Sequence, residues 1–137
     1  MQITPYLTFN GNCAEAFRFY EQTLGGHIDA MVPHRGTPAA EHVDADWQDK
    51  IMHASLSVGG AAALMASDAP PPMFEQPQGF SVSLHYPDRA EGERVFNALA
   101  AGGTVRMPFQ ETFWASGFGM LVDRFGTPWM VNCDKPA

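Results

Sequence analysis

The two halves of this 137-residue chain repeat one another. Residues 14–26 read AEAFRFYEQTLGG, and residues 90–103 read AEGERVFNALAAGG. With one gap, the two segments share an Ala-Glu pair, an arginine, an aromatic residue, a leucine and a closing Gly-Gly. Self-similarity at an offset of about half the chain indicates that one structural unit occurs twice. The length is typical of a single domain, so we expect one domain built from two copies of one module.

Both repeated segments are predicted to be amphipathic helices. Asn12 precedes the first and suits an N-cap, and Gly25-Gly26 is expected to end it. Asp88 is the corresponding cap of the second, which ends at Gly102-Gly103. The apolar stripe of the first helix has residues spaced four, three and four apart: Cys13, Phe17, Tyr20 and Leu24.

The remaining segments alternate between apolar and polar residues with a period of two, which predicts strands. Each half is thus a β-α-β-β-β module, and the fold class is α+β. The modules span 1–67 and 79–135, joined by a proline-rich linker at 68–78. The predicted strands are Ile3–Phe9, His27–Val32, Ile51–Val58, Ala62–Ser67, Phe80–Tyr86, Thr104–Phe109, Phe118–Val122 and Pro128–Cys133.

A polar segment at residues 34–50 interrupts the first module and is predicted to be a long loop or a lid. It is rich in acidic residues, which leaves two interpretations open: a solvated run of charge or a cation site. The acidic residues are Glu41, Asp44, Asp46 and Asp49.

Charge and composition exclude several classes of partner. Fifteen acidic residues face eight basic ones, a net charge of −7, so neither nucleic acid nor an anionic membrane surface is an expected partner. No apolar run is long enough to span a bilayer, and the N-terminus has no signal-peptide pattern. The two cysteines, Cys13 and Cys133, form no CxxC pair, which favours reduced thiols and a cytosolic protein.

Several strings, occurring in order along the whole chain, resemble the PhnB-like branch of the vicinal oxygen chelate superfamily. They are YLTFNGNCAEAFRFY, KIMHASLSVGG, LMASD, MPFQETFW and TFWASGFGMLVDRFGTPWMVNC. That superfamily includes glyoxalase I, extradiol dioxygenases, and the bleomycin and fosfomycin resistance proteins. The resemblance implies a cup-shaped mixed sheet with helices outside and strands lining a cavity, and it implies a homodimer.

The resemblance also implies a metal held by His, Glu or Gln on the first, fourth, fifth and eighth strands. None of the corresponding residues is a carboxylate or an imidazole, the groups that divalent ions prefer. We therefore expect neither a metal nor another cofactor at these positions. The corresponding residues are Thr4 or Pro5, Met65, Ser81 or Phe80, and Met130.

The strand period predicts which side chains face the cavity. On the first strand, Ile3, Leu7 and Phe9 are expected to pack on the helix. The opposite face carries hydroxyls, imidazoles, an amide and thioethers, which suit a small organic ligand. The candidate ligand-binding residues are Tyr6, Thr8, His53, Ser55, Met65, Ser81, Ser83, His85, Trp114, Met130 and Asn132.

The sequence leaves three functions open. The first is a metal-free small-molecule binding protein, which the missing ligands favour. The second is a metal-dependent lyase, isomerase or dioxygenase with a relocated site that uses His53 and His85. The third is a non-catalytic structural or interaction protein. Some PhnB-like proteins carry a methyltransferase label, but this sequence has no glycine-rich strand-to-helix turn for the methyl donor.

Three further side chains allow both a chemical and a structural interpretation. Cys13 lies at a predicted helix N-terminus, where a thiol can be activated, but it also heads the apolar stripe. Asp68 and Asp123 follow strands and could act as general bases, although an aspartate there more often caps a turn.

Overall fold

The computed structural model describes residues 1–136, and its element order is the predicted β-α-β-β-β pattern, twice. The alternation of strands and helices follows the periods of two and about 3.6 in the sequence. The elements are β1 (Tyr6–Phe9), α1 (Cys13–Leu24), β2 (His27–Pro33), β3 (Ile51–Val58), β4 (Ala61–Asp68), β5 (Val82–Tyr86), α2 (Arg89–Ala100), β6 (Thr104–Gln110), β7 (Ala115–Val122) and β8 (Pro128–Asp134).

The chain divides into two units, the first spanning Met1–Glu75 and the second beginning at Gln76. Each unit holds one four-stranded mixed sheet, in the order β1-β4-β3-β2 or β5-β8-β7-β6. The β1–β4 and β5–β8 pairs are parallel and the other pairs are antiparallel. The repeat is therefore structural, and the predicted α+β class is confirmed. Among residues 1–136, no helix is long and apolar enough to cross a membrane.

In the first unit, α1 covers one face of the sheet. Phe9 lies at the centre of an aromatic cluster, with its ring centroid 6.2 Å from that of Phe17 and 6.4 Å from that of Tyr20. All three are essentially inaccessible to solvent, as are Ala54 and Leu56 of β3. Burial of this apolar stripe supplies the main stabilisation of the unit.

In the second unit, α2 packs on the sheet through its own apolar stripe, in which Val95, Phe96 and Leu99 are buried. Gly92, one turn earlier, has no side chain to separate the helix from β8. A Cβ at this position would overlap Cys133 Sγ. The helix therefore approaches the sheet more closely here than any other residue would allow.

Two predicted strands begin later than expected. Ile3 is 85% exposed and does not pack on α1, so that prediction is wrong. Pro5 has no N–H to donate, and the pairing of β1 with β4 begins at Tyr6. Similarly, β5 pairs with β8 from Val82 onward, which leaves Phe80 and Ser81 outside the strand.

The first module's insertion is not an open loop. It contains two short 3-10 helices, at Pro38–His42 and Ala45–Trp47. At the end of the module, Asp68 is the last residue of β4 and not the first residue of the linker, as was predicted. A turn follows, in which the backbone carbonyl of Pro70 accepts hydrogen bonds from the N–H groups of Met73 and Phe74.

Candidate functional site

Each sheet has one face packed against its helix and one face left open. Along β3 and β4, buried residues alternate with partly exposed ones, so every second side chain lies on the open face. The open face of the first unit carries Tyr6, Thr8, Ala30, Val32, His53, Ser55, Ser57, Met65 and Ser67.

A tyrosine–histidine pair occupies one side of this first face. The hydroxyl of Tyr6 and Nδ1 of His53 share a hydrogen bond of 3.1 Å, and the two rings stack with centroids 5.8 Å apart. Among residues 1–136, His53 Nε2 has no hydrogen-bond partner, so it is available to a ligand. Ser55 and Ser57 follow His53 along β3, so this face is lined mainly by hydroxyl and imidazole groups.

The open face of the second unit has a different chemistry. One row across its strands is Ser83, Met130, Met120 and Met107, and the next is His85, Asn132, Phe118 and Gln110. The imidazole of His85 is held next to Ser83 of the first row, because its Nε2 and the Ser83 hydroxyl share a hydrogen bond of 3.1 Å. Three thioethers thus lie side by side on neighbouring strands.

Trp114 extends this surface from the segment before β7. Its indole lies edge-on to Phe118, with centroids 5.2 Å apart, and its Nε1 donates to Asn132 Oδ1 at 3.2 Å. Asn132 Nδ2 in turn donates to Asp134 Oδ1 at 2.9 Å, which fixes the orientation of the amide. Trp114 remains 46% exposed, so its ring is held in place but accessible.

The structure alters which candidates lie together. Ser81 precedes β5 and is not a strand residue, whereas Met107, Phe118 and Met120 belong to the second face and were not among the candidates. The alternation that places Phe118 and Met120 on this face was already present in the sequence of β7. In β7 the buried residues Ala115, Gly117 and Gly119 alternate with partly exposed ones, but the strand was predicted to start only at Phe118.

The register also corrects the positions compared with the superfamily metal ligands. Tyr6, and not Thr4, lies opposite Met65, and Ser83, and not Ser81, lies opposite Met130. The four residues at the corrected positions, Tyr6, Met65, Ser83 and Met130, include no carboxylate or imidazole. Among the described residues, no three His, Cys, Asp or Glu side chains form a group that could hold a metal ion. His53 and His85 belong to different units.

Asp68 is a structural acceptor in the first unit. It is 5% exposed, and its Oδ1 accepts hydrogen bonds from the backbone N–H groups of Gly11 and Cys13 at 3.0 and 2.9 Å. Its Oδ2 accepts from the N–H of Ile51 at 2.8 Å. Asn12, the predicted cap, makes no side-chain cap hydrogen bond, because Asp68 occupies that role from β4.

Asp123 has a similar role in the second unit. Its Oδ1 accepts from the backbone N–H groups of Phe125 and Thr127, and its Oδ2 accepts from Trp129 Nε1 at 2.8 Å. A buried carboxylate that holds three donors is committed to the turn between β7 and β8. Both aspartates are therefore structural acceptors and not general bases, Asp123 within its own turn and Asp68 for backbone N–H groups of distant segments.

The cysteines are also structural. Burial raises the pKa of the Cys13 thiol far above its ordinary range, and the negative charge of Asp68 raises it further. Burial likewise raises the pKa of Cys133. A reactive thiol requires a lowered pKa and some access to solvent. Both side chains instead fill space between a helix and a sheet.

The comparisons with known proteins agree on a family. Residues 1–132 match the profile of the family described as 3-demethylubiquinone-9 3-methyltransferase. Protein YjdN of Escherichia coli (strain K12) is 38% identical over 143 aligned positions, which cover 98% of this chain and 97% of YjdN.

Solved structures share the fold over nearly the whole chain. Protein PA1353 from Pseudomonas aeruginosa is 55% identical, with a TM-score of 0.89 and 99% of each chain covered. The PhnB protein from Bacillus cereus is 23% identical, with a TM-score of 0.80 and coverage of 97% of this chain and 99% of the other.

A more distant structure connects the fold to a wider group. A glyoxalase/bleomycin resistance protein/dioxygenase family enzyme from Burkholderia phytofirmans PsJN is 13% identical, with a TM-score of 0.64 over 96% of this chain and 97% of that one. At that identity the likeness concerns the fold alone. With two β-α-β-β-β modules and a profile match over 132 residues, the chain belongs to the PhnB-like family, whose profile carries the 3-demethylubiquinone-9 3-methyltransferase description, and it has the fold of the glyoxalase/bleomycin resistance proteins.

Proposed function

We propose that this protein binds a small organic molecule on its open sheet faces, without the metal usual in the superfamily. The observation that carries the proposal is the surface of the second unit formed by Trp114, Phe118 and the methionine row, which consists of Met107, Met120 and Met130. Ordered aromatic rings and thioethers at a solvent-accessible face favour an apolar or aromatic ligand.

Polar groups at the margin of that surface would orient the ligand. Ser83 and His85 lie on β5, next to the methionine row, and Gln110 lies at the far end of the second row. Small-molecule sites combine such an apolar floor with a few convergent polar groups. We infer that the ligand has an apolar ring system and a substituent that forms hydrogen bonds.

The first unit offers the complementary chemistry. Its open face presents the Tyr6–His53 pair and the hydroxyls of Ser55 and Ser57, with a single thioether, Met65. These groups suit the polar portion of a ligand or a second, more polar molecule.

A small-molecule screen tests the proposal. We expect hits that raise the melting temperature, because any ligand that binds only the native state stabilises it by mass action. Trp114→Ala and Met120→Ala should weaken a hit by about tenfold or more, the value of roughly 1.4 kcal/mol of lost contact. Met73→Ala is the matched control, since Met73 is 75% exposed and lies off both faces.

Two results would overturn the proposal. One is a diverse screen without any saturable binding. The other is a set of hits whose affinity is insensitive to Trp114→Ala and Met120→Ala while both variants remain folded. Elemental analysis of the purified protein separates the alternative metal-dependent function. Near-stoichiometric metal that is lost in His53→Ala or His85→Ala would favour a relocated catalytic site.

The family description raises methyl transfer as a further activity, and the chain offers little for it. In the part of the chain that is described, the strand-to-helix connections are Asn10–Asn12 and Pro87–Asp88, and neither is a glycine-rich turn of the kind that holds a nucleotide-type donor. We also propose that the protein is cytosolic and homodimeric, in keeping with its two free, buried cysteines and its exposed apolar side chains.

A further inference from the structure

The methionine row of the second unit places three thioether sulfurs on neighbouring strands. Met120 of β7 lies directly opposite Met107 of β6 on one side and Met130 of β8 on the other. Both strand pairs are antiparallel, and side chains directly opposite each other in such pairs share a face, with their Cβ atoms about 5 Å apart. Each sulfur is carried on an unbranched chain with three rotatable bonds, so the three sulfurs can converge above Met120.

The three thioethers are accessible to solvent. Met107 is 39% exposed, and Met120 and Met130 are partly exposed. Along β7, the neighbours of Met120 on either side, Gly119 and Leu121, are buried instead. A methionine that only fills a gap in a core is buried among apolar side chains. The row therefore lies on the open face, where its sulfur atoms can meet a ligand.

The internal repeat shows that the fold does not require thioethers at these positions. The equivalent row of the first unit, read across β1, β4, β3 and β2, is Tyr6, Met65, Ser55 and Ala30. A serine and an alanine thus stand where the second unit has Met120 and Met107. Because the two sheets have the same strand order, topology alone does not explain the methionines. They belong to the surface chemistry of the second unit.

The chemistry of the row selects a particular class of ion. A thioether is a soft, uncharged ligand of the kind that favours Cu⁺. Magnesium and calcium prefer oxygen ligands, and zinc is bound by thiolate, imidazole or carboxylate groups. The row contains none of these three groups, and the neighbouring His85 shares its Nε2 hydrogen bond with Ser83. Uncharged ligands also compensate the lost hydration of a monovalent ion more easily than that of a divalent one.

We propose that the methionine row is a binding site for the soft monovalent cation Cu⁺, which the sulfur atoms of Met107, Met120 and Met130 hold in a three-coordinate arrangement. The site uses the lone pairs of the sulfurs, whereas the proposed organic ligand uses the apolar surface of the same face. The two proposals are therefore independent, and a leucine in place of a methionine separates them.

Titration of the full-length protein with Ag⁺ in chloride-free buffer tests the site, because Ag⁺ is a soft monovalent ion that is not oxidised by air. In protein labelled with ¹³C in the methionine methyl groups, the NMR signals of Met107, Met120 and Met130 should shift together and saturably. The signal of Met73 should not shift, and Zn²⁺ should shift none of the four. Under anaerobic conditions, competition with the chelator ferrozine should show about one Cu⁺ bound per chain.

Matched variants separate the sulfur from its volume. Met120→Leu keeps the apolar volume and removes the sulfur, so it should weaken Cu⁺ and Ag⁺ by about tenfold or more. Met73→Leu removes a thioether that is 75% exposed and lies off the row, and it should leave both affinities within about twofold. An organic ligand found by screening should still bind Met120→Leu, so failure of one proposal does not imply failure of the other. Melting temperatures show that the variants are folded.

Four outcomes would refute the proposal. The first is the absence of any saturable shift of the three methyl signals with Ag⁺. The second is an equal loss of affinity in Met120→Leu and Met73→Leu, which would indicate unspecific binding to exposed thioethers. The third is binding that persists in Met120→Leu and disappears in Cys13→Ala or Cys133→Ala, which would place the ion on a thiol. The fourth is binding that persists in Met120→Leu and disappears in His85→Ala, which would indicate an imidazole site.

Discussion

At the scale of single residues, the two buried aspartates explain how each module is held together. Asp68 connects the end of β4 to the start of α1 and to the start of β3, through three backbone N–H donors. Asp123 closes the turn between β7 and β8. A strand-end aspartate can be assigned to a turn from local sequence, as for Asp123. The partners of Asp68 lie 17 to 57 residues away, so no local pattern could indicate them.

Replacement of Asp68 by asparagine should destabilise the protein. An amide presents one acceptor oxygen, so its NH₂ group would face one of the three donors and leave it unsatisfied. We expect a loss of about 2–3 kcal/mol in the free energy of unfolding, measured by urea denaturation. Glu75→Gln, at an exposed position, should change the free energy of unfolding by less than about 0.5 kcal/mol. Similar values for both variants would contradict the structural role of Asp68.

The buried thiols should weaken the fold at alkaline pH. Because the folded-state pKa of Cys13 is raised above its usual 9.0, the neutral thiol is favoured in the fold. That contribution is complete below pH 9.0 and is lost as the pH rises from there toward the folded-state pKa. Over that pH range the free energy of unfolding falls by at most about 1.4 kcal/mol per pH unit for each thiol.

Urea denaturation between pH 7 and pH 11 measures this effect. We expect stability to fall above about pH 9 and to fall less steeply in Cys13→Ala. Cys133 has a raised pKa as well, so part of the slope should remain. If the free energy of unfolding of Cys13→Ala fell as steeply with pH as that of the wild type, the Cys13 thiol would not cause the loss of stability at alkaline pH.

At the scale of elements, the contact between α2 and β8 shows why a helical glycine is required. Gly92 lies inside a helix, where glycine is intrinsically unfavourable by about 1 kcal/mol relative to alanine. The close approach of Cys133 Sγ outweighs this propensity. The sequence pattern predicts the helix and its apolar stripe, but the distance between helix and sheet depends on which side chains face each other.

Gly92→Ala should therefore destabilise the protein, by about 1–2 kcal/mol after the gain in helix propensity. Combination with Cys133→Ala removes the overlapping Sγ and should restore most of that loss relative to Cys133→Ala alone. A double-mutant cycle in urea measures the coupling. Asn97→Ala, at an exposed position of α2, should be neutral or stabilising. Additive effects of Gly92→Ala and Cys133→Ala would rule out the proposed contact.

At the scale of the whole molecule, the repeat is conserved in topology but not in surface chemistry. Both sheets have the same strand order, yet one open face carries hydroxyls and imidazole and the other carries thioethers and aromatic rings. Large apolar side chains remain exposed in the second unit: Phe80, Val105, Met107, Phe113 and Trp114. Exposed apolar groups of this size are typical of binding or association surfaces.

We expect sedimentation equilibrium to report a dimer, with about twice the chain mass of 15.0 kDa. Phe113→Ser, which removes a ring that is 88% exposed, should shift the equilibrium toward monomer if this surface is the interface. Ile3→Ser, at a comparably exposed apolar position of the first unit, is the control. A monomeric protein at all concentrations would contradict the dimer.

The sequence by itself determined the repeated module, the identity of its helices and strands, and the α+β class, because these follow from local periodicity. Tertiary structure decided the register that places Tyr6 opposite Met65, the capping of α1 by Asp68, and the methionine row that joins β6, β7 and β8. It also decided that residues of the segment 42–47 line an open cavity together with Pro70, Pro71 and Pro72. These features depend on contacts between residues far apart in the chain, and such contacts leave no periodic signal in any one segment.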